Sequence, residues 1–439
     1  MKAEELERKL TIIRKLKEAK TRRNQRIQTY VDVYNLVDPR EKSKFEHGIT
    51  NFPQAAVNLG IFFLSTGRTK VRLSVAKENL QERDRFSAAE RAIMGIERGI
   101  DEEYRKVGEA TTRRRANAYD ILLKGSVYNL SCVVPADDGK TPIFIATRWD
   151  PETCFASYVN STRFRGMGRF VHEYECSIED WEYKKEELGL NSIDISPSQE
   201  SVTIADYYER FYENRQPVVG HLILADGKLV QDWDYAGGTK EAFTEIPVRH
   251  ASAYSDERGF LEPALSQIND FNKNKSVLME AARRQIKQFL LIITEQDAQV
   301  IDIDKLIDKD VTVAQIKPPG EIRSIELIKG FPEMSSLMGL HTGDMQRVLF
   351  PYTTWGDVGM GEMPSGYLYS QLRQGAFANA GPYHDALNGM DSDTYGDWLR
   401  QYKRGNYAPI KVSGNYTGRY DGFFHDNFKA VNNIWQVFS

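Results

Sequence analysis

Apolar residues recur at helical spacing through residues 3–34, where Leu6, Leu10, Ile13 and Leu16 form one stripe and Arg22, Arg23 and Arg26 lie on the polar side. This predicts one or two helices, ended by Pro39. A second helical run follows Pro53, with Ala55, Ala56, Leu59, Phe62 and Phe63, and Gly67 as its stop. VRLSV (71–75) alternates like a short strand. Residues 87–124 predict two helices, with Ser87 a candidate N-cap and Gly125 just past the end.

From 126 to 260 the period changes to two. SVYNLSCVV, TPIFIATR, RFVHEYECS, SVTIADYYERFYE, VVGHLILADG and KLVQDWDYA predict strands. Asp138-Gly139 and Asp226-Gly227 fall between such runs and read as hairpin turns. A short helical insertion is predicted over 177–190. Strands in a meander beside helices make the fold class α+β.

Residues 261–290 carry the strongest helical stripe: Leu261, Leu265, Ile268, Phe271, Leu278, Ala282, Ile286 and Phe289. Pro263 fits the first turn, where its missing N–H costs little. Thirty residues at 1.5 Å each span roughly 45 Å, the length of a strut. A small β-rich module follows, with FLLIIT, VTVAQI and IRSIELI, then a helix over 333–349. A Gly-rich, poorly periodic loop runs from Phe350 to Pro364. A further helix over 366–388 contains Gly381-Pro382, which predicts a kink, and Asp391 is read as the cap of a last helix to Arg404. The tail 405–439 shows no long periodic run.

Composition narrows the function classes. The chain has 439 residues, net charge −4 and 41% apolar residues, so it is long enough for two or three domains and is globular. An excess of acid over base argues against a high-affinity nucleic-acid binder but not against a surface that DNA merely passes. Three widely spaced cysteines, Cys132, Cys154 and Cys176, give neither a disulfide framework nor a four-cysteine zinc site. The charged N-terminal segment does not read as a signal peptide, and no window is apolar enough for a membrane span.

Chemical motifs are few. GDVGMGEMPSG (356–366) precedes a helix but lacks the G-K-[ST] of a phosphate loop, so it reads as a mobile loop with apolar tips. Asp302/Asp304 and Asp391/Asp393 sit where acids complement a helix dipole, and capping is preferred over metal binding. The seven histidines form no metal motif. No nucleophile elbow occurs. Arg113, Arg114 and Arg115 read as a solvated helix face. A second basic set lies along the 261–290 strut: Lys273, Lys275, Arg283, Arg284 and Lys287.

The order of elements is itself a signal. QAAVNLGIFFLSTGRTKVRLSV (54–75), EIPVRHASAYSDERGFLEPALSQINDFNK (245–273) and MPSGYLYSQLRQGAFANAGPYHDAL (363–387), in that order, resemble the portal (head–tail connector) proteins of tailed bacteriophages. The resemblance implies an α/β wing over 1–260 and 365–404, and stem helices at 261–290 and within 330–349. It further implies a clip over 291–329 and a tunnel loop over 350–364. A crown would be absent or reduced, since only 405–439 remain as a tail.

It further implies a homo-oligomeric ring, usually dodecameric, at a unique capsid vertex of the virion, assembled in the host cytoplasm. Double-stranded DNA would pass without sequence-specific contacts. Implied partners are the terminase large subunit, neck and tail adaptor proteins, the major capsid protein and a scaffolding protein. No catalytic activity, cofactor, metal or membrane is implied. On this reading the tunnel-loop residues are Trp355, Asp357, Val358, Met360, Glu362 and Met363. The basic set Lys273, Lys275, Arg283, Arg284 and Lys287 faces either the lumen or a neighbouring subunit, and clip strands at 289–293, 311–316 and 322–328 extend a neighbour's sheet edge. The rival readings are a head–tail adaptor and a nucleic-acid-processing enzyme with a deep acidic pocket.

Overall fold

The computed structural model describes residues 3–38, 48–66, 71–73, 83–108, 112–136, 138–160, 165–191, 199–239, 242–286, 289–293, 321–325, 332–350, 378–413, 420–423 and 437–438. The chain opens with helices α1 (Ala3–Tyr34) and α2 (Phe52–Thr66), strand β1 (Arg72–Leu73), and helices α3 (Arg83–Val107) and α4 (Arg113–Leu123). Strands β2 (Ser126–Pro135), β3 (Pro142–Trp149), β4 (Cys154–Asn160) and β5 (Arg165–Ser177) follow, then α5 (Ile178–Leu188). Next come β6 (Ser201–Glu213), β7 (Gln216–Ala225), β8 (Lys228–Tyr235) and β9 (Val248–Ser252). Helix α6 (Leu265–Ile286), strands β10 (Phe289–Ile293) and β11 (Glu321–Ile325), α7 (Pro332–Val348) and α8 (Gly381–Gly405) complete the main elements. The tail adds β12 (Ile410–Ser413), β13 (Tyr420–Phe423) and β14 (Val437–Phe438). The fold is α+β, and every described strand pair is antiparallel.

The chain divides into two compact units. The first comprises residues 1–31, 57–260 and 380–439. Its centre is a five-stranded sheet in the order β4-β5-β6-β7-β8 and a three-stranded sheet in the order β3-β2-β9. Alternation along the strands decides what each face covers. Phe155, Val171, Tyr207, Leu222 and Leu224 pack with Ile13 and the Leu6, Leu10 and Leu16 stripe of α1. The opposite-facing Cys154, Ala156, Phe170 and Val219 pack with Tyr128 of β2 and Val248 of β9. A third cluster joins α3 to α8 through Ala92, Ile93 and Ile100 with Trp398, Leu399 and Tyr402.

Turn chemistry sets the hairpin registers. Asp226 and Gly227 between β7 and β8 both have positive φ, 49° and 74°, the left-handed pair a two-residue hairpin favours. Asn214 and Arg215 do the same between β6 and β7 at 47° and 66°. Ser177 caps α5 by accepting from the Asp180 N–H, and Gly189 closes it at φ 62°.

The second unit comprises residues 32–56 and 261–379. Within it α6 packs on α7, and β10 pairs with β11 through five residue partners from Phe289↔Ile325 to Ile293↔Glu321. That pairing returns the chain, so α6 and α7 run in opposite directions. Ile268 of α6 and Met345 of α7 are buried, as are Leu261 and Ala264 just before α6 and Leu349 and Phe350 just after α7.

Several expectations need correction. The 261–290 helix begins with a 3-10 turn at Glu262–Ala264 and ends at Ile286, because the β-branched, apolar run from Phe289 pairs with β11 instead. The helix expected to start near Ser87 starts at Arg83, so Ser87 lies within α3 and not at its N-cap position. Gly381-Pro382 does not break a helix in the described residues: it opens α8, and Pro382 sits in the first turn. Asp391 is therefore interior to α8, not its cap. The expected strand VTVAQI and the Asp302/Asp304 pair lie outside the described residues, as does 366–377.

Candidate functional site

The 261–290 strut expected from the sequence falls on α6, whose 22 residues span about 33 Å at the helical rise and which packs on α7. Its position rests on specific contacts. The segment 48–50 lies along α6: Gly48 N–H donates to Ser276 Oγ at 2.9 Å and Thr50 N–H donates to Asn272 Oδ1 at 2.9 Å. Asn379 closes the other helix, its Nδ2 donating to the carbonyls of Arg347, Val348 and Leu349 at 3.2, 3.0 and 3.3 Å. These are the last carbonyls of α7, which no intrahelical N–H can reach.

The basic set separates into different roles. Lys275 Nζ donates to Ile49 O at 2.8 Å, and its alkyl chain covers Gly48, where a Cβ would sit 2.7 Å from Lys275 Cγ. Lys275 is thus engaged inside its own unit. Lys273 is 70% exposed, and its contact to Asp270, also exposed, is 3.7 Å. Arg283 and Arg284 belong to the last turns of α6, with their side chains outside the description, and Lys287 lies outside the described residues. All six tunnel-loop residues, Trp355, Asp357, Val358, Met360, Glu362 and Met363, fall within 351–377 and likewise lie outside it.

The Arg113–Arg115 run is not a solvated face. Arg113 is fully buried; its Nε donates to Glu97 Oε1 at 2.9 Å and its Nη2 to Asp391 Oδ1 at 2.7 Å. Arg114 donates to Asp391 Oδ2 at 2.7 Å, to Asn388 Oδ1 at 2.7 Å and to Leu64 O at 2.8 Å. One carboxylate on α8 thus holds two guanidiniums of α4. Burial opposes the charge on Arg113, but Glu97 and Asp391 outweigh it and hold the guanidinium protonated more firmly than usual. Burial raises the Glu97 carboxyl, with Arg113 opposing. The signal in the sequence was placement: two arginines in a first turn, where the helix dipole disfavours cations, need acids from elsewhere.

A second buried knot joins α1 to the turn after β9. Arg23, 4% exposed, donates to Glu257 Oε2 at 3.0 Å and to the carbonyls of Pro151 and Cys154 at 2.6 and 2.8 Å. Lys20 pairs with the other Glu257 oxygen. Nearby, His250 stacks on Tyr128 at 4.4 Å and shares a 2.6 Å hydrogen bond with Tyr158.

An enzyme site of dispersed residues needs a pocket that gathers perturbed acids. The first unit has an open cleft of about 670 Å³ along α1, lined by Leu10, Ile13, Lys17, Phe155 and Glu173 among others. A second, of about 360 Å³, lies beside Arg249, Asp397 and Arg400. The carboxyls raised by burial, Glu97, Asp101, Asp120 and Asp393, line neither cleft. Glu97 and Asp120 are held by Arg113 and Arg148 instead. Among the described residues, no three His, Cys, Asp or Glu side chains gather as a metal site.

No family model matches the chain, and no curated protein matches it.

Proposed function

We propose that this chain is the subunit of a ring-shaped conduit for double-stranded DNA, a portal or head–tail connector of a tailed phage. The observation that carries the reading is the second unit. It is a pair of oppositely running helices, packed on each other and followed or preceded by the strands of a two-stranded β pair, with mixed charged and apolar residues on the exposed faces. Such a helix pair is suited to serve as a stave that lies beside copies of itself. Around it, helices and antiparallel strands precede α6 and the long helix α8 follows α7, which supports the reading.

The chemistry of a conduit agrees with the charge. Each tight Lys or Arg contact to phosphate adds a salt-sensitive attraction, and a channel that lets DNA slide holds it at few points. A subunit of net charge −4, repeated around an axis, repels the duplex on average. In this reading the chain docks the terminase on one side and neck or tail adaptor proteins on the other, and carries out no reaction itself. The 355–362 loop acts on DNA by closing around it without a sequence-specific grip.

Assembly of heads from purified capsid, terminase and this chain tests the reading. Heads fill with nuclease-protected DNA only when the chain is supplied, and deletion of 355–362 leaves particles intact with reduced retained DNA. Equal filling without the chain contradicts the proposal.

A further inference from the structure

The exposed faces of α6 and α7 are complementary to each other. On α6 the outward residues Asp270, Lys273 and Val277, three and then four apart, are 53%, 70% and 54% exposed. On α7 they are Leu340, Asp344 and Arg347, four and then three apart, at 67%, 52% and 84%. Each helix pairs its own charges only loosely, Lys273 with Asp270 at 3.7 Å and Arg347 with Asp344 at 3.3 Å. Such exposed i,i+3 pairs contribute little and remain open to better partners. Leu337, 38% exposed and three residues before Leu340, extends the apolar end of the α7 face.

Direction decides whether the faces match. Read in opposite directions, Asp270 meets Arg347, Lys273 meets Asp344 and Val277 meets Leu340. Each triplet spans seven residues, about 10.5 Å at the helical rise, so the match holds along its length. Read in the same direction, Asp270 meets Leu340 and Val277 meets Arg347, which buries a charge against a methyl group at both ends. A ring with one rotation axis makes this choice automatically. All copies point the same way along the axis, so α6 of one copy is opposed in direction to α7 of the next. Ring closure also requires two different patches, one meeting the other around the circle.

We propose that the Asp270–Lys273–Val277 face of α6 docks on the Arg347–Asp344–Leu340 face of α7 in a second copy of this chain, and that this contact closes the ring. The inference rests on the ring reading above. It assigns Lys273 to an ion pair between subunits and not to DNA.

Charge reversal tests it. Four forms of the full chain are compared by native mass spectrometry across a concentration series: the natural chain, Asp270→Lys with Lys273→Asp, Asp344→Arg with Arg347→Asp, and all four together. Each pair reversal raises the concentration for half-assembly by about tenfold or more, because like charges then face each other. The fourfold variant, with attraction restored, returns to within about threefold of the natural chain. Thermal melts establish that each variant is folded. For any that is not, the neutral pair Asp270→Asn with Lys273→Gln replaces it, with the expectation of weakened assembly that no longer responds to salt. If the natural chain forms rings and either reversed pair assembles equally well, or the fourfold variant does not recover, this interface is overturned while the ring stands. If the natural chain forms no ring, the conduit reading falls, and this inference with it.

Discussion

At the scale of single residues, buried charge and buried imidazole govern stability. Asp391 accepts from Arg113 and Arg114 at once, so its loss leaves two cations with little solvent to screen them. We expect Asp391→Asn to destabilise the first unit by about 3–5 kcal/mol, as for a broken buried pair, where loss of a helix cap would cost about 1. Urea titration of the purified chain measures the difference.

His172 and His250 set an acid limit. Burial pushes both down to about 4 from 6.5. The unfolded chain takes up their protons as pH falls below about 6.5, whereas the folded chain does so only near 4. Their stabilisation is therefore present above about 6.5 and lost toward 4, at about 1.4 kcal/mol per pH unit for each site. His172 stacks between Trp149 at 4.2 Å and Tyr174 at 4.7 Å, and its buried Nδ1 has no hydrogen-bond partner. His172→Phe should keep the stack and flatten the fall in melting temperature between pH 7 and 5. An unchanged pH profile would show that this imidazole is not the titrating group.

At the scale of elements, what the sequence made legible follows from how one-sided each element is. Helix α1 buries one stripe against the sheet and leaves the rest exposed, and β6 and β8 mix buried with exposed positions along their length, so these elements carry a readable pattern. Strand β4 was missed because Cys154, Phe155 and Ala156 are all buried, on both faces, and do not alternate. Helix α8 was misplaced because Gly389 followed by Asp391 imitates a helix stop and a new cap. Only the arginines of α4, far away in sequence, explain an acid at that interior position. The basic set on α6 looked uniform in sequence, yet Lys275 and Lys273 differ entirely in their surroundings. Such differences depend on which distant segment, here 48–50, comes to lie alongside.

The junction between α4 and β2 gives an element-scale prediction. Gly125 has φ +80°, and a Cβ there would lie 2.3 Å from Glu257 O, a backbone atom with no freedom to withdraw. Gly125→Ala costs about 1–3 kcal/mol from the left-handed backbone alone, before the clash is added. Gly139→Ala, with φ +67° but open space around it, separates the two contributions by pairing strain without clash. Equal losses in thermal stability at the two sites would mean that the Glu257 contact is not tight.

At the scale of the whole molecule, the account depends on many copies. One chain has an α6–α7 pair whose exposed faces carry Asp270, Lys273 and Val277 on one helix and Leu340, Asp344 and Arg347 on the other. In the proposed ring they become the joints. In that proposed ring the modest negative charge would act over the full circle and favour passage over retention.

Single-particle imaging of the purified chain, with its mass measured in parallel, tests this most directly. The account predicts a closed ring whose mass is an integral multiple of 50.3 kDa, with an axial opening that admits a DNA duplex and the α6–α7 pairs arranged around it. A chain that remains a monomer or dimer at every concentration, with no axial opening, would contradict it.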